Sequence, residues 1–410
     1  MQVDAQRQYD LVVWGASGFT GRLVVEYLVK KYPPLGELRW AVAGRDRAKL
    51  ESVLAEVVSG EQQPAIIIAD SHDEASLLRL AECTRVVLTT VGPYASYGSE
   101  LVAACASNGT HYCDLAGEVQ WMRAMIDRHL SSAVASGARI VPSCGFDSIP
   151  SDIGVFFLQN HAMENYGVPC DEITLLVKAM KGGASGGTVA SMLTAMDQAR
   201  QDRDIAKILF DPYALNPVGE RDGPDGPDQT GVEFNADAGV WTGPFIMAAV
   251  NTRIVRRTNA VRGYPYGRAF RYSEATITGS GAGGWCKSAL LTAGLGTFML
   301  ASSVAFTRKT IVPRLVPKPG EGPTAQEREN GFFNLQLIGK LPDGKLLRLR
   351  VKGDRDPGYG STSKMLAESA VCLARNKLDV AGGFWTPASA MGTQLLDRLR
   401  KNAGLSFELE

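Results

Sequence analysis

The sequence predicts an α/β protein built on a doubly wound parallel sheet. Three observations lead there. An apolar run, Asp10 to Trp14, enters three glycines at three-residue spacing (Gly15, Gly18, Gly21), and an amphipathic pattern follows at Leu23, Val24, Tyr27 and Leu28. From residue 10 to about residue 142, strand-like and helix-like runs alternate through six strands. After residue 150 this rhythm stops, so a second domain of different build is expected in the 410-residue chain.

In order, the strands are expected at 10–14, 38–43, 65–69, 85–90, 111–113 and 138–142, with helices at 20–31, 46–58, 73–82, 98–108 and 118–136 between them. Strands joined by helices pair in parallel through right-handed crossovers. Such sheets bind ligands at the C-terminal ends of their strands, and the chemistry belongs there. Beyond residue 150 the pattern reads as a strand at 172–180, a long helix at 188–209 and a Pro/Gly/Asp loop at 216–231. Strand-like β-branched and aromatic runs fill 241–278, an uncharged segment spans 288–306, and a Pro-rich linker runs from Pro313 to Pro323. A hairpin turns at Leu341-Pro342-Asp343-Gly344 between 332–339 and 345–351, and helices at 362–375 and 388–402 follow. The domains read as 1–150 for nucleotide binding, 151–352 for substrate and dimerisation in a homodimer, and 353–410 for C-terminal helices.

Composition excludes several classes. Lys+Arg and Asp+Glu number 43 each, so there is no basic excess for nucleic acid. The seven cysteines are scattered without a C-x-x-C pair, which suits reduced core thiols rather than a disulfide frame or a zinc site. Four histidines without H-E-x-x-H spacing argue against a metal centre. The polar start, Met1 to Arg7, has no signal-peptide core, and a cytoplasmic location is expected. Segment 288–306 is long enough to span a bilayer, but Gly, Ala, Ser and Thr supply about half of it. A buried helix, or one touching a membrane or lipid surface, is expected instead.

The glycine turn is the expected phosphate site. Free N–H groups and the helix dipole favour an anion there, and glycine lets the pyrophosphate approach the backbone. Gly15, Gly18 and Gly21, with Ser17 and Thr20 as hydroxyl donors and Phe19 between them, form this loop. The second strand ends in Gly44-Arg45, with no carboxylate at its tip although Asp46 follows. Arg45 suits a 2′-phosphate, which selects NADP over NAD. Asp70 ends the third strand, either accepting from the adenine amino group or capping the next helix. Thr90, Gly92 and Pro93 end the fourth, where the backbone passes beside the nicotinamide ribose, and Tyr94 is expected to project into the cleft. Asp114 and Glu118 follow the fifth strand. Asp147 or Ser148 caps the helix after the sixth, or faces the cleft. Ser185-Gly186-Gly187-Thr188 reads as an anion site or a plain cap, and Asp354 to Gly360 as a site-lining turn of open role.

Taken together the chain resembles the saccharopine dehydrogenase-like oxidoreductases, and among them the trans-acting enoyl reductases. The resemblance rests on Gly15 to Gly21, Val91-Gly92-Pro93-Tyr94, Tyr112-Cys113-Asp114 with Gly117-Glu118, and Gly145 to Asp152. It continues through Ser185 to Thr188, Asp356 to Gly360 and Gly383-Phe384-Trp385-Thr386-Pro387. It implies a Rossmann-type sheet, an inserted α+β domain, and C-terminal helices packing back on the Rossmann domain. It also implies a pyridine nucleotide and a substrate chain carried by a separate polyketide synthase. Relatives associate with lipid through a segment placed like 288–306. No set of cations suited to an amino acid's carboxylates is evident.

The expected activity is NADPH-dependent reduction of an apolar, α,β-unsaturated acyl or polyketide substrate. The enolate needs a hydrogen-bond donor and the α-carbon a proton. Tyr94 is the expected donor, oriented by Asp114 or Glu118. The alternatives are an amino-acid adduct dehydrogenase and a non-enzymatic, nucleotide-binding, lipid-associated protein.

Overall fold

The computed structural model describes residues 7–34, 36–58, 63–182, 186–303 and 322–410. The chain divides into two compact units. Met1–Ile149, Gly320–Gly322 and Tyr359–Ala403 form the first, and Pro150–Pro319, Pro323–Gly358 and Gly404–Glu410 the second.

The first unit opens with β1 (Tyr9–Trp14), α1 (Phe19–Lys31), β2 (Trp40–Gly44), α2 (Arg47–Val57), β3 (Ala65–Ile68), α3 (Glu74–Cys83) and β4 (Thr84–Thr89). There follow α4 (Tyr94–Tyr97), α5 (Ser99–Asn108), β5 (His111–Cys113), α6 (Val119–Ser136) and β6 (Arg139–Val141). Each of these six strands lies within about two residues of its expected place. Leu11, Val12, Val13, Ala41, Val42 and Ala43 are all fully buried, as parallel strands covered on both faces require. Arg7 precedes β1 and ties several loose carbonyls together, among them Thr84 O at 2.8 Å and Asn108 O at 2.5 Å.

The second unit takes up α7 (Ile149–Tyr166), β7 (Glu172–Lys181), α8 (Gly186–Gln201), α9 (Arg203–Phe210), β8 (Glu233–Asn235), β9 (Val240–Gly243) and α10 (Ala248–Val261). It continues with β10 (Arg271–Gly279), α11 (Gly281–Ser303), α12 (Ala325–Glu329), β11 (Phe332–Lys340) and β12 (Leu346–Gly353). The chain then returns to the first unit as α13 (Thr362–Arg375), β13 (Gly383–Phe384) and α14 (Pro387–Arg398). It ends in the second unit as β14 (Leu405–Leu409).

The first sheet runs β13-β6-β5-β4-β1-β2-β3, and every pair in it is parallel. The strand order reverses about β1, which makes the C-terminal ends of β1 and β4 the switch point. Helix α13 packs against β1, β4, β5 and α1, so a segment from late in the chain completes this layer. Buried Glu368 on α13 anchors it by accepting from Tyr27 Oη (2.6 Å), Tyr32 Oη (2.8 Å), Arg398 Nε (2.9 Å) and Asn402 Nδ2 (3.1 Å). The second sheet runs β14-β12-β11-β7-β10-β9-β8 and is antiparallel except where β7 and β10 pair.

Several expectations are corrected here. The long helix over 188–209 is two helices, because Asp202 leaves the helical conformation (φ −132°) and caps α9 by accepting from Asp204 N at 2.8 Å. The strand-like stretch 241–278 contains helix α10 at its centre. Its Val, Ile and Thr residues favour strands, but burial on almost every side overrides that preference. Its buried arginines find most of their partners in the segment from Pro212 to Asp228, although Arg253 Nε has none among the described residues. Arg256 bonds Asp225 Oδ2 (2.6 Å) and Pro212 O (3.0 Å), Arg253 pairs with Asp228, and Arg257 reaches Leu215 O. The apolar segment belongs to α11, where Leu290 and Leu300 are 75% and 67% exposed. Among the described residues no helix is long and apolar enough to cross a membrane. Residues 1–6, Ser185, 304–306 of the apolar segment and the linker as far as residue 321 lie outside the described residues.

Candidate functional site

The phosphate loop forms where β1 meets α1. Gly15 adopts φ +86°, and a Cβ there would lie 2.5 Å from Val91 Cγ2. A Cβ on Gly21 would lie 2.1 Å from Gly15 O. These two glycines are therefore required by the packing of the loop itself. Gly18 differs, because its Cβ would meet only Gly15 O at 3.3 Å. It is the N-cap of the 13-residue α1, and no side chain caps that end. A glycine cannot cap the first-turn N–H groups with a side chain of its own, which leaves that end of the helix open to an anion. Ser17 and Gly18 are exposed, Thr20 is half-buried, and among the described residues neither the Ser17 nor the Thr20 hydroxyl is hydrogen-bonded.

At the tip of β2, Arg45 is exposed and has no ion pair or hydrogen bond among the described residues. Asp46 turns to its own helix instead, accepting from Lys49 N at 3.1 Å as the cap of α2. A free guanidinium with no available acid suits a 2′-phosphate and not a bare 2′-hydroxyl. Beside it, Ala69 N donates to Gly44 O at 3.2 Å. Asp70 Oδ1 accepts from His72 N at 2.9 Å in a local turn, and Asp73, not Asp70, caps α3.

The β4 turn leans on the phosphate loop. Thr90 N donates to Trp14 O (3.1 Å) and Thr90 Oγ1 to Gly15 O (3.3 Å), while Gly92 is exposed and Pro93 half-buried. Tyr94 is the main correction at the site. It is 5% exposed; its hydroxyl donates to Thr89 O at 3.3 Å and accepts from Leu115 N at 3.1 Å. The expected free phenol is therefore engaged within the fold. Burial, with the Asp114 charge second, holds its pKa well above the usual tyrosine range. Asp114 is fully buried and accepts from Tyr112 Oη (2.7 Å), Ala116 N (2.8 Å) and Ser143 N (2.9 Å). Burial outweighs those three bonds and raises its pKa to about 6. Glu118 meets the main chain here, accepting from Tyr94 N at 2.7 Å and Ala95 N at 2.9 Å.

Sequence reasoning missed two features. Ser143 holds the left-handed conformation (φ +62°), fixed by the Asp114 carboxylate on its N–H and by its own hydroxyl donating to Ala116 O at 2.7 Å. A non-glycine residue there leaves no signature in one sequence. Tyr359, from the turn of open role, packs edge-on against Phe19 of the phosphate loop with ring centroids 4.8 Å apart. Next to it, Thr362 Oγ1 accepts from Phe146 N at 3.0 Å, joining α13 to the turn after β6. The Ser148 hydroxyl is fully buried and lacks a partner, so it does not cap α7. Gly186 and Gly187 begin α8, which belongs to the second unit.

The residues fit NADP on their own terms. The uncapped α1 terminus with Gly18, Ser17 and Thr20 would hold the pyrophosphate, and Arg45 the 2′-phosphate. Trp14 Nε1 at the end of β1 and Ser148 Oγ in the turn before α7 are buried and unpaired, two of eleven such atoms among the described residues.

Comparison with known proteins agrees with this geometry. Residues 11–141 match the family described as the saccharopine dehydrogenase NADP binding domain. The chain is 41% identical over 415 residues to a putative trans-acting enoyl reductase of Mycobacterium tuberculosis, covering 98% of this chain and 97% of that one. It is 38% identical over 407 residues to the trans-acting enoyl reductase of Mycobacterium leprae, covering 96% of each. Saccharopine dehydrogenase (L-Glu forming) from Saccharomyces cerevisiae has a similar structure, with TM-score 0.54 at 10% identity over 98% of this chain and 99% of that one. At that identity the likeness concerns the fold alone.

Proposed function

The chain belongs to the trans-acting enoyl reductases of the saccharopine dehydrogenase-like oxidoreductases, and from that premise we propose that it reduces a carbon–carbon double bond in an apolar acyl, polyketide or lipid chain. It is an NADP-dependent oxidoreductase, and NADPH supplies the hydride. The observation that carries the cofactor half is the pairing of an uncapped α1 terminus with the free Arg45 guanidinium. The substrate half is supported by the relatives' names and by their match along nearly the whole chain.

The residues of the first unit act here by binding and orienting. The loop at Gly15–Gly21 and Arg45 hold the nucleotide, and Asp70 Oδ2, without a partner among the described residues, is free for the adenine amino group. The Thr90–Pro93 turn gives a ledge for the ribose. The substrate is taken to be a free or carrier-bound acyl group handed over by a polyketide synthase. In this reading the protein is cytoplasmic, a homodimer, and touches a lipid or carrier surface through α11.

The test is NADPH consumption by the purified protein with a long-chain trans-2-enoyl thioester. Substrate-dependent loss of absorbance, with little activity from NADH, is the expected result. Arg45→Ala should weaken NADPH binding at least about tenfold, the worth of a charge-assisted contact, and leave NADH binding nearly unchanged. Tight NADPH binding without turnover on any enoyl thioester would overturn the substrate assignment and leave the cofactor site standing.

A further inference from the structure

We propose that Glu118 is a positioning residue for the nicotinamide half of the cofactor, acting by clamping the turn after β4. The proposal rests on the NADPH reading above. It begins from a chemical mismatch at α4. This helix has only four residues, and its N-cap is Pro93, which offers no side-chain acceptor. Its first N–H groups still need partners in a buried setting. Glu118 supplies them from 24 residues further along the chain. One carboxylate oxygen accepts from Tyr94 N (2.7 Å) and the other from Ala95 N (2.9 Å), and the residue is 1% exposed.

The same turn is pinned at its other end. Thr90 bonds the phosphate loop through Gly15 O, and Val91 fills the space beside Gly15 where a Cβ would otherwise stand. Between the two anchors lie exposed Gly92 and half-buried Pro93. A dinucleotide extended from the phosphate loop across the switch point meets this stretch with its nicotinamide half. The phosphate loop depends on Gly15 and Gly21, not on Glu118. The adenosine end, at Arg45 and Asp70, lies on the opposite side of β1 in the strand order. Releasing Glu118 therefore loosens one end of the cofactor's bed and spares the other.

That asymmetry gives a readout that a general loss of stability does not produce. Binding of NADPH and of 2′,5′-ADP, which lacks the nicotinamide, is measured by calorimetry on the whole protein, together with the emission of bound NADPH. Glu118→Gln replaces one carboxylate oxygen by a donor facing an N–H group. It should raise the NADPH Kd about tenfold, on the scale of one charge-assisted hydrogen bond, and move the emission towards that of free NADPH. The 2′,5′-ADP Kd should stay within about twofold, since no contact to that half is touched. Glu118→Asp keeps the charge with a shorter reach and serves if the glutamine variant folds poorly. It should fall between wild type and Glu118→Gln in NADPH affinity, again without effect on 2′,5′-ADP. Equal weakening of both ligands, or no change in NADPH affinity and emission, would overturn the proposal. A wild-type protein that binds neither ligand would instead overturn the nucleotide reading, and this inference with it.

Discussion

At the scale of single residues, the phosphate loop separates two kinds of glycine. Gly15 and Gly21 leave no room for a Cβ, and Gly15 also needs a positive φ, whereas Gly18 meets only a marginal contact at 3.3 Å. Gly15→Ala should lower stability by about 2 kcal/mol or more from backbone conformation and overlap. Gly18→Ala should unfold near the wild-type temperature and lose NADPH affinity. Thermal unfolding beside NADPH titration of the two variants checks this, and equal stability losses would sink the distinction. The three glycines are equally visible in the sequence, but their division of labour is not, because it depends on Val91 and on the path of α1. Arg45 stands out in the sequence by its type and by its place at the end of β2. The engagement of Tyr94 was not legible, because its partners Thr89 and Leu115 meet it only through folding.

Among elements, β5 and the residue that follows it carry two opposed pH-sensitive groups. His111 opens β5, and its Nδ1 accepts from Arg139 N at 3.1 Å, which requires the neutral ring. Burial, then the charges of Arg139, Arg85 and Arg7, push its pKa down to about 3. Its stabilisation is present above the unfolded value near 6.5 and is lost as pH falls through that window. Asp114, raised to about 6, has the opposite sign, because the folded state keeps its proton longer and gains stability as pH falls from about 6 to about 4. Each effect is on the order of 2–3 kcal/mol over that interval, and the two oppose one another. His111→Asn keeps an acceptor for Arg139 and removes one side of the balance. Its unfolding temperature should rise relative to wild type as pH falls from 6 to 4.5, because the variant no longer loses the histidine's contribution. A variant profile identical to wild type would refute the assignment. Elements were legible where the periodicity was pure, as in β1 to β6. Helix α10 was not, because its Val, Ile and Thr read as strand and the partners that house its arginines, Asp225, Asp228, Pro212 and Leu215 among them, meet it only through folding. The edge strand β14 was missed because Leu405 to Leu409 shows alternation too short to separate from a tail.

For the molecule as a whole, α11 carries exposed apolar side chains, with Leu290 and Leu300 well exposed and Met299 beside them at 40%. If α11 makes the proposed lipid contact, Leu290→Ser with Leu300→Ser should reduce flotation with anionic vesicles severalfold and leave NADPH binding intact. Unchanged flotation would remove lipid from the reading. The other whole-molecule feature is the late return of α13 and β13 to the first sheet. A ribosome releases the strands β1 to β6 first and must then make residues 150–358 before α13 appears. At typical synthesis speeds that interval lasts about 10–40 s. Throughout it, the apolar face of β1, β4 and β5 that α13 covers stays bare in the nascent chain. Newborn protein should therefore depend on chaperones for far longer than its finished stability suggests, and a translation arrest within residues 150–358 should leave an aggregating product rather than a working nucleotide-binding module.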